Sequence, residues 1–194
     1  KAIDGVGPLP SAAVAADAKL VDAAGDVEQA ITRLVRRHVL WAGAQGFVTN
    51  LGGLVAVPIA VPANIVGVTL VQCHLVAGIA HLRGYSLTDS GVRNAILVCM
   101  LGEDSARALM RQGKLPKTIL ALADAATHDA ELDERVSKEV TTDLIARTAG
   151  RRVATLVGRR IPLLGGLVGA GADGLMTYQL GTFAAKQLVD RNLA

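Results

Sequence analysis

Between Arg37 and Arg83 the chain carries no Asp, Glu, Lys or Arg. The uncharged run from His38 to Leu82 exceeds the roughly 20 apolar residues that cross a bilayer as one helix. It is also punctuated by Gly46, Gly52, Gly53, Pro58, Pro62 and Gly67. Proline removes a backbone donor and its ring clashes with the preceding turn, so a plain spanning helix is not expected here. A segment this poor in charge has to be shielded, inside a helical core, against a membrane, or around something oily. A re-entrant hairpin within a membrane is compatible with such punctuation. The amphipathic middle of the chain favours a body in water.

A second apolar run, Ile161–Ala185, holds Asp173 as its one charged residue and carries Gly165, Gly166, Gly169, Gly171, Gly174 and Gly181. Gly165 and Gly169 form a GxxxG spacing, which lets helix backbones approach closely. Aromatic residues make up only 3% of the chain, so its core is expected to consist of Ala, Val, Leu and Ile interleaved with glycine. The sequence LGGLV at Leu51–Val55 recurs at Leu164–Val168, a weak internal echo of two similar apolar hairpins.

Helical spacing recurs elsewhere. Asp26 is suited to cap a helix along which Val27, Ile31, Leu34, Val35 and His38 form one stripe. That helix is expected to end near Trp41, in the Gly-rich stretch 42–46. Pro62 fits the first turn of a long helix reaching Leu82, with Gly84 as its C-terminal cap. Ser86-Leu87-Thr88-Asp89 reads as a capping-box variant opening the next helix, which Gly102 closes. Short helices are expected over 103–111 and 116–126. From Asp129 to Arg160 charges are dense, and Leu132, Val136, Val140, Leu144 and Ile145 form the apolar stripe of a surface helix. No sustained period-2 alternation appears. The expected fold is all-α, a compact multi-helix bundle with two long apolar, Gly-rich central helices. Residues 1–25 are expected to be a poorly ordered or partly helical lead-in ending in helix near 12–23, and 26–194 the helical domain.

Composition limits the function classes. Hydrophobic residues reach 51%, charged residues 19%, and mean hydropathy is +0.40. Net charge is +3 with a pI near 9.1, without the basic face and interleaved aromatics of a nucleic-acid binder. Cys73 and Cys99 both sit in apolar helical stretches, as buried free thiols suited to a reducing compartment. Residues 1–26 contain no continuous apolar core of the secretory type. No GxxxxGK[ST], nucleophile elbow or HExxH is present. No catalytic residue, metal or cofactor is therefore assigned.

The candidate binding residues are the polar groups inside the apolar runs. Asn64 and Gln72 lie two turns apart. They either bond backbone groups freed by the prolines or line a polar spot in an apolar pocket. His74 reads as a core histidine with a hydrogen-bond partner or as a ligand contact, and His81 follows two turns on. Asp173 requires a partner such as Arg83, Arg159 or Arg160, or else contacts a ligand. Arg36 and Arg37 precede the first run and Arg159 and Arg160 the second, where arginines can meet anionic head groups. The acids from Asp129 to Glu134 read as the start of a helix.

Three segments resemble the EcsC family of bacterial proteins. They are GFVTNLGGLVAVPIAVPANIVGVTLVQCHLVAGIAHLRGYSL (46–87), VRNAILVCMLGE (92–103) and RRIPLLGGLVGAGADGLMTYQLGTFAAK (159–186). The likeness covers roughly residues 26–190, so 26–194 would be an EcsC-like helical domain. Family members often carry an acid soon after the second proline, where this chain has Ala63-Asn64, and an Asn at the place of Asp173. The resemblance implies an intracellular, hydrophobic group, with membrane association among its expected properties and no established reaction.

Together these features lead to the expectation of a non-catalytic helical module that binds lipid or another apolar ligand through Asn64, Gln72, His74 and Asp173. Its expected place is cytoplasmic, at the inner face of the cytoplasmic membrane, with no nucleic-acid partner. The alternatives are a homo-oligomeric interaction or scaffold protein, and a hydrolase using His74 and Asp173.

Overall fold

The side chains that would contact a ligand are carried by helices whose ends are set locally. In the computed structural model the described residues are 2–5, 9–51, 57–125, 129–158 and 162–192. Side chains of 46–51, 57–65, 144, 147–158 and 162–170 lie outside that description. Among the described residues there are eight helices and no strand: α1 (Ala12–Asp22), α2 (Val27–Leu51), α3 (Val57–Leu82), α4 (Ser90–Met100), α5 (Gly102–Arg111), α6 (Ile119–Ala123), α7 (Ala130–Gly158) and α8 (Pro162–Gln187). The protein is an all-α multi-helix bundle with compact packing among its helices.

Several helix ends follow from single residues. The Val14 amide donates to Ser11 Oγ (3.3 Å) at the start of α1, and the Gln29 amide to Asp26 Oδ1 (2.9 Å) at α2. The amides of Glu131 and Leu132 both donate to Asp129 Oδ1 (3.0 Å) at α7. Each side chain satisfies a donor that the first turn leaves without an intrahelical partner. After α3, Gly84 adopts φ +80°; its amide donates to the His81 carbonyl and the Tyr85 amide to the Ala80 carbonyl. This is the paired closure that a left-handed residue makes possible. Ala24 ends α1 in a similar way, at φ +53° and without glycine's freedom.

Four local expectations are corrected. α2 does not end near Trp41 but continues through the glycines to Leu51. Its most extensive neighbour is α8, and packing along that length outweighs the roughly 1 kcal/mol that each glycine costs a helix. α3 begins at Val57 and includes both prolines. Pro58 occupies the first turn, where its missing N–H is not needed; Pro62 forfeits one bond close to the helix start. The Ser86–Asp89 segment makes no capping box: Asp89 is the N-cap without a side-chain bond, and Ser86 Oγ meets Thr88 Oγ1 instead (2.8 Å). The helix expected over 116–126 is reduced to α6, opened by Thr118, whose hydroxyl accepts from the Ala121 amide.

α2 and α8 form the broadest contact, and α3 packs against both. α1 lies across α2 and α3, burying Ala12, Ala15 and Ala16. α4 is the hinge of the other side, touching α3, α5, α6, α7 and α8. Leu34, Leu75, Ile79, Ile96, Leu101, Ile119, Leu122 and Leu188 are the large fully buried aliphatic side chains, forming one core across both sides. At Gly181 a Cβ would stand 2.9 Å from Val35 and 3.1 Å from Leu75, so glycine there permits α8 to close on α2 and α3. Among the described residues no helix is long and apolar enough to cross a membrane.

Candidate functional site

α3 supplies two polar side chains in succession that look into different neighbourhoods. Gln72 is half-buried and its Nε2 donates to Thr177 Oγ1 of α8 (3.2 Å). The Thr177 hydroxyl in turn donates to the Asp173 carbonyl (2.8 Å). Gln72 also lines a cleft of about 460 Å³ between α3, the start of α5 and the second half of α8. Leu101, Met176, Leu180 and Phe183 give that cleft its apolar surface. Ser105, Gln179, Lys186 and the first-turn acids Glu103 and Asp104 place polar groups around it. Ser105 Oγ donates to Asp143 Oδ1 (3.2 Å), anchoring α5 to α7. The cleft is therefore mixed, lined by polar and charged groups at least as much as by apolar ones.

His74 faces the other way. It is fully buried, with Nδ1 2.9 Å from His38 Nε2 and Nε2 2.9 Å from the Pro10 carbonyl. His38 is equally buried, and its Nδ1 lies 2.8 Å from the Leu34 carbonyl one turn earlier on α2. Burial pushes His38 down to about 4 and also lowers His74; the positive charge of Arg37 works in the same direction on both. The two rings are stacked at 28°, and Trp41 lies 5.2 Å from His38. Arg37 covers the opposite ring contact, its guanidinium carbon 4.4 Å from the Trp41 centroid. His81, two turns beyond His74, meets Asp17 of α1 at 2.8 Å. Both α3 histidines thus face the N-terminal segment rather than each other.

The expected ligand set is only partly brought together. Gln72 and Asp173 are linked through Thr177, whereas His74 is committed at both ring nitrogens to His38 and Pro10. Asp173 is buried. The Arg83 considered as its partner pairs instead with Glu28 (2.5 Å) and Asp190 (3.6 Å). The Asn64 side chain lies outside the described residues, as do Arg159 and Arg160. Arg36 is exposed, and Arg37 is half-buried against Trp41. Among the described residues no group of His, Cys, Asp and Glu could hold a metal ion.

Sequence reasoning passed over His38, although it stands on the apolar stripe of α2 with Leu34 and Val35. A histidine on such a stripe is itself the signal, because it must be buried and bonded. The α5 share of the cleft had no comparable signal, since Leu101–Ser105 reads simply as a helix boundary.

The fold and cleft define a class, a helical bundle with a mixed polar and apolar cleft, and go no further. No family model, no curated protein and no solved structure matches the chain.

Proposed function

We propose that the chain is a non-catalytic helical module that takes a lipid or another apolar molecule with one polar end. The single observation that carries this reading is the α3–α5–α8 cleft, where Leu101, Met176, Leu180 and Phe183 stand beside Gln72 and Gln179, with Glu103, Asp104 and Lys186 as charged groups for a polar end. Its volume falls within the about 300–1,000 Å³ of small-molecule sites. Leu175 and Tyr178 of α8 are more than half exposed beside the cleft, apolar surface of the kind that rests on a membrane. Peripheral association at the inner face of the cytoplasmic membrane, and membership of the EcsC family, belong to the same proposal.

The test is native mass spectrometry of the purified chain with oleate or lysophosphatidylcholine, paired with flotation on neutral and anionic vesicles. The expected result is one bound amphiphile per chain. Thr182 also lines the cleft, and Thr182→Trp, which fills it, should weaken binding roughly tenfold, equal to about 1.4 kcal/mol. Absence of both bound amphiphile and vesicle association rejects the reading.

The exposed Leu40, Leu175 and Tyr178 favour one second reading, a homo-oligomer that covers them. Mass measurement in detergent-free buffer tests it, a monomer at all concentrations counting against it. For the hydrolase alternative the geometry offers less, since both ring nitrogens of His74 face other groups.

A further inference from the structure

The chain divides its charge unevenly. Residues 29–82 and 144–189, which supply most of α2, all of α3, the end of α7 and α8, hold nine Lys or Arg and a single acid, the buried Asp173. The remaining residues hold eleven Lys or Arg and sixteen Asp or Glu. One part of the molecule is therefore net positive and the other net negative. The positive part is also the apolar part.

Packing gathers the uncharged helix ends. α2 and α3 run antiparallel: a Cβ on Gly67 would meet the Gln45 side chain, and one on Gly78 would stand 2.8 Å from Leu34. α8 is also antiparallel to α2, with Gly174 facing Val39 (3.5 Å) and Gly181 facing Val35 (2.9 Å). The end of α2 at Leu51, the start of α3 at Val57 and the start of α8 at Pro162 thus share one end of the bundle. In sequence, 38–66 and 161–172 contain no Asp, Glu, Lys or Arg, and polar residues such as Thr49, Asn50 and Asn64 carry no charge.

Toward that end Leu40, Val66 and Leu175 are each more than half exposed. Further from it comes a level of basic and aromatic residues. Arg36 and Arg37 fall between Val35 and Val39 on α2, and the exposed Tyr178 falls between Gly174 and Gly181 on α8. Trp41 lies under the Arg37 guanidinium. Apolar residues beyond a belt of arginine and aromatic side chains suit a protein end set into a bilayer, with the belt among the head groups. From Arg37 to Leu51 the helix rises about 21 Å. That is enough to enter one leaflet and short of the roughly 30 Å hydrocarbon core.

We infer that this end of the bundle docks end-on into one leaflet of an anionic membrane, Leu40, Val66 and Leu175 entering the acyl region and Arg36 and Arg37 meeting the phosphates. The inference rests on the membrane association in the proposed function and stands apart from the cleft. Charge selects the occupant. A second copy would bring two positive faces together, whereas an anionic surface attracts this part of the molecule and repels the acidic remainder.

The test is co-sedimentation of the full chain with vesicles of phosphatidylcholine, alone or with part of it replaced by phosphatidylglycerol. Binding to the anionic vesicles should be about tenfold tighter or more, and should weaken with added salt. Leu40→Glu and Val66→Glu should each weaken it about tenfold. Arg36→Gln should weaken it about fivefold. Val21→Glu, which puts the same charge on an exposed valine of α1, should leave it unchanged. Thr182→Trp should also bind vesicles as the unaltered chain does, so that loss of the soluble amphiphile with vesicle binding intact rejects the cleft reading and supports this one. Failure to bind anionic vesicles, equal binding to neutral ones, full binding by Leu40→Glu and Val66→Glu, or an equal loss in Val21→Glu or Thr182→Trp overturns the inference. So does a dimer that ignores vesicles and becomes monomeric in Leu40→Glu, which assigns the face to a second copy.

Discussion

The α2–α3–α8 side and the α4–α7 side of the bundle bury polar groups differently. The first looks uniformly apolar in sequence, yet it encloses His38, His74, Asp173 and Thr177. The second is dense in charge, yet among its described side chains Asn94 is the buried polar group, and it meets a carboxylate, Asp133 (2.5 Å), as the part-buried Ser105 meets Asp143. Charge density along a chain therefore says little about where desolvation energy is concentrated. A polar atom costs most where few others are near to satisfy it. The side with fewer polar residues is the one whose stability depends most on them.

Leu75→Ala should show the largest effect. Leu75 is fully buried between α2 and α8, and its loss should destabilise by about 3 kcal/mol in urea unfolding. Val136→Ala on α7 should cost about 1 kcal/mol, and a similar cost for both would erase the contrast. Acidification comes next. His38 is held at about 4 against 6.5 in the unfolded chain, so the unfolded chain takes up the proton first. Stability should be complete above pH 6.5, fall by about 3 kcal/mol as pH drops toward 4, and then level off. His74, also lowered, adds in the same direction. Denaturant midpoints between pH 4 and 8 check this; His38→Gln should flatten the curve.

Asn94→Ala removes a bond to Asp133 from a nearly buried side chain, and a loss of about 1–2 kcal/mol is expected. A larger loss than that of His38→Gln at pH 7.5 would reverse the order of the two sides. Smallest is Ala24→Gly, which relieves a left-handed alanine at the end of α1 and should raise stability by about 0.5–1 kcal/mol.

The sequence announced what local chemistry decides. Asp26, Gly84 and Asp129 mark helix ends where they were expected, and the all-α class follows from the spacing of the apolar stripes. It did not announce what long-range packing decides. α2 passes through Gly43 and Gly46 because α8 lies along it, and no local signal carries that information. His38 and His74 are 36 residues apart and become partners only when α2 and α3 pack. Gln72 was recognisable as a polar group in an apolar run, but its cleft is completed by Leu101–Ser105 and α8, which no spacing rule connects to it.

Cys99 gives the core a chemical clock. Its thiol on α4 is fully buried and pushed up to about 12, so an alkylating reagent meets neither access nor thiolate while the fold is closed. Modification of Cys99 therefore counts core openings, while half-buried Cys73 on α3 offers a second counter on the opposite side. The ratio of the two rates would show whether the halves come apart together or one before the other.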